Sequence, residues 1–125
     1  MKNILNKKLI ERYSRQIVLK NVGTVGQKEI NKAKVLIIGA GGLGCPVVDY
    51  LSRAGVGTIG IVDFDKVNLS NIHRQSLYET RDINKFKVDV LKKKIKLINP
   101  FIKVKVFKKK MTDKNSKKII KSFDI

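Results

Sequence analysis

Gly39-Ala40-Gly41-Gly42-Leu43-Gly44 follows the apolar run Val35-Leu36-Ile37-Ile38 and precedes a helix-like stretch. A glycine turn in that setting lets backbone approach phosphate, and the following helix N-terminus offers unpaired N–H groups and the positive end of a dipole. The alternative is a tight strand-to-helix turn with no ligand. Asp63 closes the next apolar run, where a carboxylate can accept hydrogen bonds from ribose hydroxyls. Gly39, Gly41, Gly42, Gly44 and Asp63 are therefore candidate nucleotide-binding residues, and by these features NAD fits as well as ATP. Two further signatures flank the turn: Arg-Tyr-Ser-Arg-Gln at 12–16 and Asn-Ile-His-Arg-Gln at 71–75.

The elements that must position these residues read as alternating helix and strand. Leu9, Ile10, Tyr13, Ile17 and Val18 fall near helical spacing, which predicts a helix over 8–20 carrying Arg12 and Arg15, and a second over 25–32. Residues 34–39 and 58–63 read as strands buried on both faces, with a helix over 43–54 between them whose first turn tolerates Pro46. Residues 64–81 lack a period and read as a long loop with about one helical turn. Val88, Leu91, Ile95 and Ile98 mark an amphipathic helix over 82–99, with Lys92, Lys93, Lys94 and Lys96 outside. Residues 101–107 alternate as a half-exposed third strand, 112–123 suggest a last helix, and Phe123-Asp124-Ile125 reads as entry to a fourth strand. The fold class is α/β, a Rossmann-like, mostly parallel sheet, incomplete at about three strands. One domain over 1–125 is expected: N-terminal helices at 1–32 and a nucleotide-binding half at 33–125.

Composition narrows the function classes. No uninterrupted apolar stretch reaches the length of a membrane span, and no apolar run follows the charged start Met1–Lys8, so the chain reads as cytoplasmic with no membrane partner. One cysteine and one histidine supply neither a disulfide nor a zinc cluster, so no metal-ligating set is read. Cys45 reads as a small packed side chain rather than a nucleophile, and His73 as a loop residue. The formal charge of +18 is uneven: residues 85–125 hold 15 basic and 3 acidic side chains. Nearly all the excess is lysine among many Ile and Asn residues, as base composition in an AT-rich coding sequence would give. It reads as a solvated face, with nucleic acid not the expected partner.

The combined signatures resemble the ThiF, MoeB and HesA family, bacterial relatives of ubiquitin-activating enzymes. The likeness rests on residues 12–16, Gly26-Gln27, 35–45, Tyr50-Leu51, 54–57, 62–67, 69–75, Lys87 and Ile98-Asn99-Pro100. It implies an ATP-dependent adenylyltransferase, with magnesium, activating the C-terminal Gly-Gly carboxylate of a ubiquitin-like sulfur carrier for thiamine or molybdopterin biosynthesis. A carboxylate attacking a polyphosphate needs cations over the phosphates, so Arg74 and Lys87 are the candidate clamps, with Asn71 as a neutral donor. The family's counterpart of Arg15 reaches the ATP of the other subunit, which implies a homodimer. The family continues beyond this length with a metal-holding carboxylate, so the chain is expected to be an N-terminal portion, truncated and lacking half of the site. The rival readings are a noncatalytic nucleotide- or carrier-binding module, or half of a split enzyme. A third, an NAD-dependent oxidoreductase fragment, leaves Arg15, Asn71 and Arg74 unexplained.

Overall fold

The computed structural model describes residues 6–125; the first five residues of the charged start and of the N-terminal helical unit lie outside the described residues. Six helices and three strands alternate. They are α1 (Lys7–Arg12), α2 (Ser14–Ile17), α3 (Gly23–Lys32), β1 (Lys34–Ile38), α4 (Gly44–Ala54), β2 (Thr58–Val62), α5 (Lys87–Ile98), β3 (Lys103–Phe107) and α6 (Asp113–Ile120). The sheet is parallel in the order β1-β2-β3, with Lys34 opposite Thr58 and Thr58 opposite Lys103.

All five residues of β2 are buried, because it lies between two strands and under helices. The expectation of burial on both faces fails for β1, whose Lys34 and Ile38 are exposed at its ends. Beyond β1 the chain's last residues take up its open side. Asp124 N–H donates to Lys34 O at 2.8 Å, and Leu36 N–H donates to Ile125 O at 2.8 Å. The expected fourth strand is thus present as a short paired segment, and the spatial order becomes end segment, β1, β2, β3. A chain that moves outward from β1 and then returns to its other side creates a crevice at the strands' C-terminal ends.

Helix α4 buries Cys45, Val48 and Ser52 and ends at Gly55, whose φ of +91° is left-handed. Helix α5 buries Val88, Leu91 and Ile95 on the expected face. It starts at Lys87 rather than Asp82, because residues 82–86 are consumed in a turn. Asp82 accepts from Glu79 N–H at 2.9 Å, Asn84 adopts φ +68°, and Lys66 bridges to Phe86. The loop before it holds two 3-10 turns, Leu69–Asn71 and Thr80–Asp82. Among the described residues no helix is long and apolar enough to cross a membrane.

The single N-terminal helix expected over 8–20 is broken at Tyr13, whose side chain is 2% exposed. Asn99 Nδ2 donates to Tyr13 Oη at 2.8 Å and to Ser52 O at 2.9 Å. Arg12 donates to Ile98 O at 2.9 Å. Gln16 donates to Ala54 O at 3.1 Å and to the buried Gln27 at 2.6 Å. Burying Tyr13 against Gly55 therefore outweighs helix continuity. A Cβ at Gly55 would lie 2.5 Å from Tyr13 Cζ. We expect Gly55→Ala to destabilise the chain by about 3 kcal/mol, combining backbone strain with overpacking. Tyr13→Phe, which strips one acceptor from a buried amide, should cost about 1 kcal/mol. Urea unfolding midpoints compare the two, and similar losses would contradict this account.

Candidate functional site

The glycine turn sits at the C-terminal end of β1. Gly39 has φ +96°, and a Cβ on Gly44 would collide with the carbonyl of Gly39, so these two glycines shape the turn. Gly41 and Gly42 differ: nothing comes closer than 3.7 Å to a Cβ placed on either. Among the described residues, the N–H groups of Gly41, Gly42 and Leu43 have no acceptor. Three orphan donors at the start of an eleven-residue helix form a cradle suited to phosphate.

The turn is held by the peptide groups of Ala40. Ala40 N–H donates to Asp63 Oδ2 at 2.8 Å, while Ala40 O accepts from Tyr78 Oη–H at 2.6 Å and Cys45 Sγ–H at 3.7 Å. The other oxygen of Asp63 accepts from Asp65 N–H at 2.7 Å. Asp63 is thus fixed at the tip of β2 beside the turn, with lone pairs left for further donors.

Lys87 is 5% exposed at the first position of α5. A cation is disfavoured both by burial and at a helix N-terminus. Its ion-pair partner, Asp65, stands 3.9 Å away and is half exposed. Asn71 Oδ1 accepts from Asn68 N–H at 3.1 Å, which fixes the side chain and leaves its amide donors pointing elsewhere. Arg74 is exposed, donates to Ser70 O at 3.0 Å, and runs past Gly42, where its backbone and side chain lie 3.7–4.0 Å from a placed Cβ.

These contacts link Gly39–Gly44, Asp63, Arg74 and, through Asp65, Lys87 at one end of the sheet, while Asn71 shares the loop that carries Arg74. Arg15 is elsewhere. Its neighbour Gln16 is tied to Ala54, the last residue of α4, whereas the glycine turn is at that helix's start, about 16 Å away at 1.5 Å per residue. Arg15 is exposed and, among the described residues, makes no hydrogen bond or ion pair. The rest of its motif is otherwise occupied: Arg12, Tyr13 and Gln16 lock the N-terminal segment onto Ile98, Asn99 and Ala54.

Two residues of the site were not singled out from sequence. Tyr78 is 3% exposed and carries no motif signal; only the fold aims its hydroxyl at Ala40. Gln75 closes the Asn71–Gln75 signature and is 4% exposed, with Nε2 3.7 Å from a Cβ placed on Gly41. Its Oε1 is buried with no hydrogen-bond partner. Cys45 is fully buried, and desolvation raises its thiol above the ordinary range despite the Tyr78 hydrogen bond and the positive charge of Lys87. Burial likewise pushes the Tyr78 hydroxyl up, reinforced by Cys45 and Asp63. Cys45 is therefore packing, as its sequence position suggested. Among the described residues no three His, Cys, Asp or Glu side chains converge on a metal position.

The model of the ThiF family matches residues 13–125. The sulfur carrier protein adenylyltransferase of Thermus thermophilus is 41% identical over 119 residues, which cover 95% of this chain and 44% of that protein. The adenylyltransferase and sulfurtransferase MOCS3 of Dictyostelium discoideum is 46% identical over 116 residues, 93% of this chain and 27% of that protein. This chain thus spans less than half the length of these relatives. The crystal structure of E. coli tRNA N6-threonylcarbamoyladenosine dehydratase, TcdA, in complex with ATP superposes with a TM-score of 0.88 over 94% of this chain and 48% of that one. At 24% identity it attests the fold.

Three outcomes follow from the burial pattern. Native Cys45 should react with a disulfide reagent at about a hundredth or less of its rate in denaturant, since only the exposed thiolate attacks; rapid native labelling would contradict its packing role. Raising pH past the ordinary thiol range should weaken the fold, because unfolding lets Cys45 and Tyr78 release protons that burial retains. Gln75→Met removes the unpaired amide oxygen at nearly constant volume. It should leave the free chain unchanged or stabilise it by about 1 kcal/mol, while reducing any rise in melting temperature that added Mg-ATP produces. Equal melting shifts for parent and variant would remove Gln75 from the site.

Proposed function

This chain belongs to the ThiF family, and on that premise we propose that it is the nucleotide-binding portion of an adenylyltransferase that activates the C-terminal glycine carboxylate of a ubiquitin-like sulfur carrier. The observation that carries the reading is the buried Lys87, placed against its helix dipole and poorly paired with Asp65, in the same site as three orphan amides of the glycine turn. Such a cluster costs stability unless an anion completes it. The names of the relatives, sulfur carrier protein adenylyltransferase and adenylyltransferase and sulfurtransferase MOCS3, support the same chemistry.

In this proposal Gly41 and Gly42 lie against the phosphates of ATP and Asp63 accepts from the ribose. The carrier's carboxylate oxygen forms a bond to the α-phosphorus, and the bond from that phosphorus to the bridging oxygen of the β-phosphate breaks. Pyrophosphate leaves with the electron pair, and an acyl-adenylate remains. Arg74 and Lys87 stabilise the charge that builds on the phosphate oxygens, with Asn71 donating a neutral hydrogen bond. Magnesium brought with ATP would supply further positive charge at the phosphates, since among the described residues no set of side chains converges to hold it. Arg15, whose neighbour Gln16 is tied to the end of α4 away from the glycine turn, serves the site of a second copy in a homodimer.

The NAD reading accounts for the turn and Asp63 but leaves Arg15, Asn71 and Arg74 without a role. ATP–pyrophosphate exchange with a Gly-Gly-ending carrier tests the proposal. Arg74→Ala should reduce exchange by about a hundredfold or more, the scale of losing one charge-stabilising donor. Lys87→Met should do the same while raising the melting temperature of the free chain. Preferential stabilisation by NAD over Mg-ATP would sink the adenylation reading, whereas ATP binding without exchange would favour a nucleotide-binding module.

A further inference from the structure

The charges of this chain are sorted, not spread. Beside Phe86 a cavity of about 460 Å³ is lined by cations, but most of these are answered. Lys85 meets Asp82 at 3.5 Å, and both Lys94 and Arg81 meet Glu79. Beyond it, residues 103–125 hold nine lysines and two aspartates. Lys108 is paired with Asp89 at 2.6 Å. Among the described residues the other eight form no ion pair. Asp124 is no help to them, since its carboxylate accepts from the Lys34 backbone at 2.9 Å.

Three of these lysines, Lys105, Lys109 and Lys118, border a cleft of about 280 Å³ between β3 and α6, with Phe107 and Ile119 in its lining. Ile119 is 6% exposed and forms the floor of the slot, while the half-buried Phe107 supplies its more open wall. An apolar slot framed by ammonium groups matches an apolar side chain flanked by carboxylates. Nucleic acid is the poorer fit. No arginine follows Arg81, which removes the bidentate phosphate fork. At the cleft the aromatic rings are engaged with one another and with a lysine: Phe107 packs edge-on against Phe123 at 6.3 Å, and Lys105 lies over Phe123 at 5.7 Å.

We propose that the β3–α6 cleft docks an acidic segment of a partner protein, seating one apolar side chain between carboxylates that pair with Lys105, Lys109 and Lys118. None of the residues lining the cleft is a nucleotide-binding candidate, although Phe107 O accepts from Asp63 N–H at 3.2 Å, and the test does not require adenylation.

The probe is a fluorescein-labelled peptide, acetyl-Glu-Glu-Leu-Glu-Glu-amide, followed by anisotropy on the full chain at low salt. Lys105→Glu/Lys109→Glu/Lys118→Glu should weaken binding by about tenfold or more, as like charges now face the peptide. The control Lys20→Glu/Lys28→Glu/Lys92→Glu makes the same charge change elsewhere on the exposed surface and should weaken binding by less than about threefold, through screened long-range effects alone. Replacing the peptide's leucine by serine should also weaken it. Equal losses in the two triple variants would reduce the effect to net charge and overturn the proposal. So would tighter binding of a single-stranded RNA oligonucleotide that the cleft variant abolishes, or no peptide binding at all. Should circular dichroism show the triple variant unfolded, the single variants Lys109→Glu and Lys118→Glu carry the same comparison.

Discussion

The peptide of Ala40 is the constraint on which the nucleotide end of the molecule depends. Its N–H is taken by Asp63 from the tip of β2, and its carbonyl by Tyr78 from the long loop and Cys45 from α4. Three elements, two of them distant in sequence, are thereby fixed to one buried peptide. A buried amide left unpaired costs more than a hydrogen bond gains, so this arrangement is enforced as well as stabilised. With Ala40 satisfied, the next three amides are free to serve something outside the chain. Fixing Asp63 also fixes Asp65 through the hydrogen bond between them, and with it the nearest counter-charge of Lys87.

The two ends of the sheet follow opposite rules. At the strands' N-terminal end, Tyr13, Ser52, Asn99, Gln16, Gln27 and Ala54 form a network in which donors meet acceptors at ordinary distances. At the C-terminal end, orphan amides, the unpaired Oε1 of Gln75 and the weakly paired Lys87 accumulate. Each of these lowers stability in the free chain. Their concentration in one place is the usual mark of a site shaped for a ligand rather than for folding alone.

Electrostatics divides the surface as well. Acidic residues are spent at Glu79, Asp82 and Asp89 on the lysines and arginine around α5. The β3–α6 side keeps its cations, and its lysines on β3 also guard an edge strand against pairing with other sheets. A basic excess already uneven along the sequence thus becomes one partly neutralised face and one open cationic face once the chain is folded.

Periodicity and glycine placement determined the alternation of strands and helices, the parallel sheet, the glycine turn and Asp63, because these depend on local sterics and on burial of regular apolar patterns. The signatures around Arg12, Asn71 and Lys87 carried the family likeness, but not the sites of their members. Only tertiary contact decided that Tyr13 breaks the first helix, since the competing gain is burial against Gly55 and a hydrogen bond from Asn99, 86 residues away. It also decided that α5 begins at Lys87, because Asp82 spends its carboxylate on the preceding turn. Helical spacing cannot report that expense. Likewise the spacing of Arg12 to Gln16 gives four polar residues equal standing; the fold assigns Arg12 and Gln16 to packing and leaves Arg15 exposed. Tyr78 and Gln75 entered the site through nonlocal geometry, and no local pattern encodes which distant peptide a buried side chain will meet.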